Sequence, residues 1–102
     1  AVPIGDKDGL QGWVIHIDRF GNLITNISEE LIENTIGRRK VRIYVGNTMI
    51  DHLVNTFEDV APGEPAAFVG SSGMMEIGIN RGNAAEMLSV DKGTQISLVL
   101  QK

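Results

Sequence analysis

Cysteine is absent, which removes a disulfide framework, a thiolate metal site and a cysteine nucleophile from the possible chemistry. No long uninterrupted apolar run occurs and the mean hydropathy is near zero, so no segment reads as a membrane span. No charged-then-apolar leader opens the chain, which leaves secretion without support and the cytoplasm as the expected location. The first residue is Ala1 rather than Met, which suggests a trimmed or excised product. Positive charge is in short supply: nine Lys and Arg stand against thirteen Asp and Glu, a net charge of −4. A protein that grips a phosphate backbone normally carries a basic face, so nucleic acid is not an expected partner. Internal repeats and low-complexity tracts are missing too.

What is present suits one ordinary domain. A chain of 102 residues buries roughly two-thirds of its unfolded surface, and 42% apolar residues suffice for one modest core. Twelve glycines against three prolines point to many tight turns. Between them the apolar pattern has mostly period two. Trp13, Ile15 and Ile17 share one face of a strand, and Val14, His16 and Asp18 the other. Val41, Ile43 and Val45 alternate with Arg42 and Tyr44; Met75, Ile77 and Ile79 alternate with Glu76 and Gly78. Ile96, Leu98 and Leu100 close the series, and Leu23 to Ile27, Thr48 to Val54 and Ala66 to Val69 are shorter candidates. The expectation is a mainly β fold: a small antiparallel β-barrel of about seven short strands with two short helices. Residues 1–11 read as an incoming linker, and residues 12–102 as the barrel.

The two helices have recognisable starts. Ser28 can cap one, with Glu29 and Glu30 in its first turn and Gly37 at its end. Asn83 can cap the other, with Glu86 three positions on. The second spans little more than one turn and must be held by packing.

Three stretches concentrate polar chemistry. Asp18-Arg19-Phe20-Gly21-Asn22-Leu23-Ile24-Thr25-Asn26 gathers an acid, a base, an aromatic and amides around a glycine. As a turn, its Asp and Asn bond their own backbone and its glycine supplies a positive φ. As a binding rim, Asp18 meets a cation, Phe20 stacks on a flat ring and Asn22 offers paired donor and acceptor. Gly70-Ser71-Ser72-Gly73 is either a hairpin turn or a small-residue loop that receives a carboxylate. It lacks the lysine and spacing of a Walker loop. Asn80 to Glu86 contains the second helix cap, and its small residues also let a base approach the backbone. His16 and His52 have no third ligand at metal spacing, so no metal is expected. Glu58 and Asp59 read as a solvated loop and the four methionines as core filling. No catalytic set emerges from the residues themselves.

Taken in order, Asp18 to Asn26, Thr56-Phe57, Gly70 to Gly73, Glu76-Ile77 and Gly82-Asn83-Ala84-Ala85 resemble the C-terminal domain of the S-adenosylmethionine hydroxide adenosyltransferases. That family is related to enzymes that halogenate S-adenosylmethionine with fluoride or chloride. The likeness runs from about Gly12 to Leu100. It implies a larger two-domain enzyme that forms homotrimers, with each ligand site between one subunit's N-terminal domain and a neighbour's C-terminal barrel. The implied reaction is hydroxide attack on the ribose C5′ of S-adenosylmethionine, releasing adenosine and L-methionine without a cofactor. The Asp, Arg and His that orient the water in that family belong to the N-terminal domain, so no catalytic residue is assigned here and the domain by itself is expected to be inactive.

By the same resemblance Asp18 meets the methionine ammonium, and the loop of Ser71 and Ser72 holds the amino-acid end. Phe20 and Phe57 pack against adenosine, and Asn22 reads the adenine edge, aided by backbone groups around Gly82, Asn83 and Ala84. Ile24 stands where the halogenating relatives have Trp, and Gly82 where they have Arg, which favours the hydroxide-using branch. The competing readings are a free-standing barrel that binds nucleic acid and a structural module that fixes a trimer.

Overall fold

The computed structural model describes residues 2–102; Ala1 lies outside them. Eight strands are present: β1 (Ile4–Asp6), β2 (Gly9–Ile17), β3 (Leu23–Ser28), β4 (Val41–Val45), β5 (Thr48–Ile50), β6 (Pro65–Val69), β7 (Met74–Ile79) and β8 (Gln95–Leu100). The helices are α1 (Glu29–Thr35) and α2 (Ala84–Met87), with a 3-10 turn over Phe57–Asp59. The strands form one antiparallel sheet in the order β5-β4-β8-β2-β3-β7-β6, with β1 beside the first half of β2. The sheet curls into a nearly closed barrel. Its two ends meet through a single parallel bridge between Leu53 and Ala67, where Val54 N–H donates to the Ala67 carbonyl at 2.9 Å. The expected mainly β barrel with two helices is what the chain forms.

Period-two alternation decides what faces inward. Val41, Ile43 and Val45 are buried while Arg42 and Tyr44 are exposed, and Ile77, Ile96 and Leu98 reach zero exposure on their strands. Burial at this level, about 1.5–3 kcal/mol per large apolar side chain, is the main favourable term in folding. The single buried polar side chain among the described residues is Thr25. Its hydroxyl donates to the Met75 carbonyl at 2.8 Å and accepts from Ile27 N–H at 3.2 Å. Both bonds lie where the β3–β7 register shifts, so the hydroxyl satisfies backbone groups in an interrupted part of the ladder.

Several expectations are corrected. Residues 1–11 are not only a connection, because Ile4–Asp6 pairs with Gly9–Gln11 and β2 starts at Gly9. On β2 the buried positions are Gly9, Leu10, Gly12 and Val14, while Ile15 is 42% exposed. A bulge between Val14 and His16 changes the alternation, placing His16 opposite Ile24 and Ile17 opposite Leu23. The strand expected to reach Val54 stops at Ile50, and Phe57 to Asp59 form a turn rather than a loop. Asp59 stabilises that turn: its Oδ2 accepts from the N–H groups of Asn55 and Thr56, each at 3.1 Å. Of the methionines only Met75 is buried in the core; Met49 and Met87 are exposed.

The caps form as anticipated. Ser28 Oγ accepts from Leu31 N–H at 3.1 Å, and Gly37, at φ +60°, closes α1 by donating to the Ile32 carbonyl at 3.0 Å. No helix among the described residues is long and apolar enough to cross a membrane.

Candidate functional site

The turn between β2 and β3 is built around one carboxylate. Asp18 Oδ1 accepts from the N–H groups of Phe20 and Asn22, both at 2.9 Å, and Oδ2 accepts from Asn22 Nδ2 at 3.2 Å. Asp18 N–H donates to the Asn22 carbonyl at 3.1 Å, and Gly21 N–H donates to the Asp18 carbonyl at 3.0 Å. The turn reading of this stretch is therefore physically complete. The same bonds also fix which way the functional groups point. Phe20 projects outward at 64% exposure, with the Arg19 guanidinium carbon 4.9 Å above its ring centre. Asn22, with its amide nitrogen held by Asp18, presents Oδ1 across β7.

That presentation depends on small residues. A methyl group on Gly78 would stand 2.9 Å from Asn22 Oδ1 and 3.4 Å from Phe68 Cε1. Along the next row, Ile24, Glu76 and Phe68 are direct partners on three adjacent strands. Phe57, carried by the 3-10 turn, meets Phe68 with ring centres 6.2 Å apart at 53°, a tilted aromatic pair. Phe57 stays 38% exposed, so the pair offers a surface as well as a covering for β6.

The β6–β7 hairpin turns at Gly70-Ser71-Ser72-Gly73, with Gly73 N–H donating to the Gly70 carbonyl at 3.0 Å. Ser71 is exposed at its tip. Ser72 is exposed too; its Oγ accepts from Met74 N–H at 3.4 Å, and it lies near enough to the Glu76 carboxyl to act on its charge. Glu76 lies over Gly70, where a Cβ would collide with Oε2. Burial, and then the neighbouring Asp18 carboxylate, push the Glu76 carboxyl above its ordinary value, while the Ser72 hydrogen bond opposes them.

The α2 side joins through Gly21. Asn83 Oδ1 caps the helix by accepting from Glu86 N–H at 3.0 Å, and its side chain packs on Gly21. Ala85 N–H donates to the Gly21 carbonyl at 3.0 Å. The Ala84 side chain is fully buried in the core, so only its backbone is available to a ligand. Gly82 N–H is taken by the Ile79 carbonyl at 3.1 Å.

The structure thus sets Asp18 and Ser72 near Glu76, Asn22 beside Gly78 and Phe57 against Phe68, while Asn83 packs on Gly21, Gly82 lies beside Ile79 and Met87, and Phe20 projects outward under Arg19. Ser71 is placed at the rim. Two residues escaped the sequence reading. Glu76 stood inside a recognised motif without a role, and its signal was its place as the acid in an apolar alternation. Phe68 carried no signal beyond its strand. Among the described residues no three His, Cys, Asp or Glu side chains are grouped to hold a metal ion.

The raised Glu76 carboxyl has a pH consequence. A group whose folded pKa is raised stabilises the fold below its unfolded pKa, and that contribution is lost as pH rises through the folded value. Glu76→Gln should therefore match the parent in urea denaturation below the ordinary carboxylate range and exceed it near neutrality. The gain is under about 1 kcal/mol because the group is partly solvated. Equal stability gaps at both pH values would contradict the assignment.

Residues 12–97 match the family described as SAM hydroxide adenosyltransferase C-terminal domain. The chain is 32% identical over 100 residues to a Thermus thermophilus protein named (R)-S-adenosyl-L-methionine hydrolase, covering 96% of this chain and 35% of that one. A Salinispora tropica protein of the same name is 34% identical over 91 residues, covering 89% and 33%. A solved structure of a conserved Thermotoga maritima protein superposes with a TM-score of 0.82 at 31% identity, over 97% of this chain and 39% of that one. Another, of a conserved hypothetical protein from Thermus thermophilus, gives 0.68 at 32% identity over 87% and 34%. The chain spans 35% and 33% of the length of the two curated relatives described.

Proposed function

The chain belongs to the SAM hydroxide adenosyltransferase family through its C-terminal domain, and from that membership we propose that it forms the adenosine- and methionine-binding wall of an (R)-S-adenosyl-L-methionine hydrolase. The observation that carries the reading is the linkage of Asp18, Asn22, Ser72 and the Phe57–Phe68 pair through Glu76 and Gly78. In the proposed reaction a water-derived hydroxide attacks ribose C5′, the C5′–sulfonium bond breaks, and sulfur keeps the electron pair. Adenosine and neutral-thioether methionine leave, and the proton from water passes to solvent.

Charge bookkeeping assigns the residues. Hydroxide and sulfonium neutralise each other in the transition state, so a carboxylate against the sulfur would hold the ground state more strongly and slow the step. Asp18 and Glu76 therefore suit the α-ammonium, whose charge does not change. Ser72 suits the amino-acid carboxylate, the exposed faces of Phe20 and Phe57 suit the adenosine, and Asn22 Oδ1 suits the adenine amino group. The water-orienting groups and the opposite wall lie in a further domain of the whole enzyme, with the site completed between subunits of a trimer. Positioning of the two reactants is worth several kcal/mol, so this chain alone should bind ligand and not turn it over.

Calorimetric titration tests the wall. Adenosine should bind, and Asn22→Ala combined with Phe57→Ala should weaken it by about tenfold or more, since each buried contact of this kind is worth about 1 kcal/mol. Equal affinity in the parent and the double variant would overturn the reading.

A further inference from the structure

A second concave surface shares no residue with the adenosine wall. The end of α1, the start of β4, the stretch after β5 and the C-terminal residues enclose a cleft of about 730 Å³, within the size range of small-molecule sites. Its charge is sharply segregated. Five of the nine basic residues of the chain line it (Arg38, Arg39, Lys40, Arg42 and Lys102), against one of the thirteen acids, Asp51.

Only one of these cations has internal work. Arg39 Nε donates to the Ile36 carbonyl at 3.1 Å, and its guanidinium also reaches the Thr35 carbonyl, so it caps α1. Arg38, Lys40, Arg42 and Lys102 form no ion pair among the described residues. Gathering unpaired like charges around a concavity is unfavourable unless an anion occupies it, and there it raises the local anion concentration. The floor differs from the rim. Ile36 and Val41 are buried and Leu53 is half-buried beneath the charges. Ile36 and Val41 are already covered by the protein, so Leu53 supplies the apolar surface, which an inorganic anion would leave wet. An anion with an organic body would use both rim and floor.

We propose that this cleft binds an organic phosphate of about nucleoside-triphosphate size, with its phosphates held by Arg38, Arg42 and Lys102 and its organic body against the half-buried Leu53. Guanidinium forks suit phosphate oxygens through paired hydrogen bonds, whereas the ammonium of Lys102 acts as a point charge. The site is independent of the proposed hydrolase role.

The test is a titration of the isotope-labelled protein with guanosine triphosphate, chosen because its base is not the one the adenosine wall would read. Inorganic triphosphate and a single-stranded oligonucleotide serve as comparison ligands. The expected result is saturable binding that perturbs residues 36–42, 51–53 and 101–102 and weakens as ionic strength rises. Guanosine triphosphate should bind more tightly than inorganic triphosphate. Arg38→Gln with Arg42→Gln should reduce affinity about tenfold or more, because two charge-assisted contacts are lost together. Both positions are exposed, and Lys102→Gln provides a second variant at the chain end. The proposal is overturned by absence of saturable binding, by perturbations confined to other segments, or by unchanged affinity in both variants. It is equally overturned if inorganic triphosphate matches the nucleotide, or if the oligonucleotide outcompetes it per phosphate.

Discussion

Gly21→Ala should lower the thermal midpoint by on the order of 10–20 °C and disconnect α2 from the Asp18 turn. Gly21 sits at φ +85°, and a methyl group there would stand 2.1 Å from Asn83 Cγ and Oδ1. An alanine in the left-handed region costs about 1–2 kcal/mol. Displacing Asn83 removes the α2 cap, about 1 kcal/mol more, and pulls the helix off the Gly21 carbonyl that Ala85 N–H now reaches. A total of about 2–4 kcal/mol is a large fraction of the stability of a domain this size and accounts for the expected shift. Gly63→Ala is the matched control. Its φ is +86°, but nothing lies within 4 Å of the added methyl, so only the backbone penalty applies. Calorimetric melting of both variants separates the two contributions, and equal shifts would show that the Asn83 contact carries no weight.

The second large effect is expected at Asp18, where two substitutions separate fold from recognition. Asp18→Ala removes three hydrogen bonds at once and should cost about 1–3 kcal/mol in urea denaturation. Asp18→Asn retains an oxygen for the N–H groups of Phe20 and Asn22, so most of that stability should remain. It replaces Oδ2 by an amino group, however, and this opposes the amide nitrogen of Asn22. Asn22 must then turn over or move, and its acceptor no longer faces outward. Adenosine affinity should fall about tenfold, near 1.4 kcal/mol, in a variant that folds well. The carboxyl of Glu76 should also titrate closer to its ordinary value, because the Asp18 charge is one of the two causes that raise it. An Asp18→Asn protein with parental adenosine affinity and an unmoved Glu76 would detach this turn from the site.

Legibility followed locality. Val41 to Val45 could be read as a strand because one face is wet and one is dry, and Ser28 and Asn83 because a cap bonds within three residues. The shared face expected for Val14 and His16 does not form, because the bulge between them is set by pairing with β3 rather than by their neighbours in sequence. Ile4 to Asp6 has no periodicity of its own and becomes a strand only because β2 offers an edge. The site divides in the same way. The Asp18–Asn22 bonds are local and were anticipated as a turn. Glu76 gained its significance from Asp18, 58 positions away, which only the β3–β7 pairing brings beside it. The basic cleft was invisible for a related reason. Arg38 to Arg42 form a short run, but Leu53 and Lys102 complete the concavity from distant parts of the chain.

The bridge between Leu53 and Ala67 makes rigidity unequal around the barrel. β2, β8 and β4 are hydrogen-bonded on both sides, whereas β6 has β7 on one side and that lone joint on the other. Local opening free energies are lowest where few bonds must break, so breathing concentrates at the joint. Phe68 rides on β6, and Phe57 leans on Phe68 from the turn just beyond the joint. The aromatic half of the proposed wall is therefore the part free to adjust, while the Asp18 turn, rooted in β2 and β3, holds its geometry. If the proposed wall receives a ligand, one side of it is a fixed template and the other a compliant jaw.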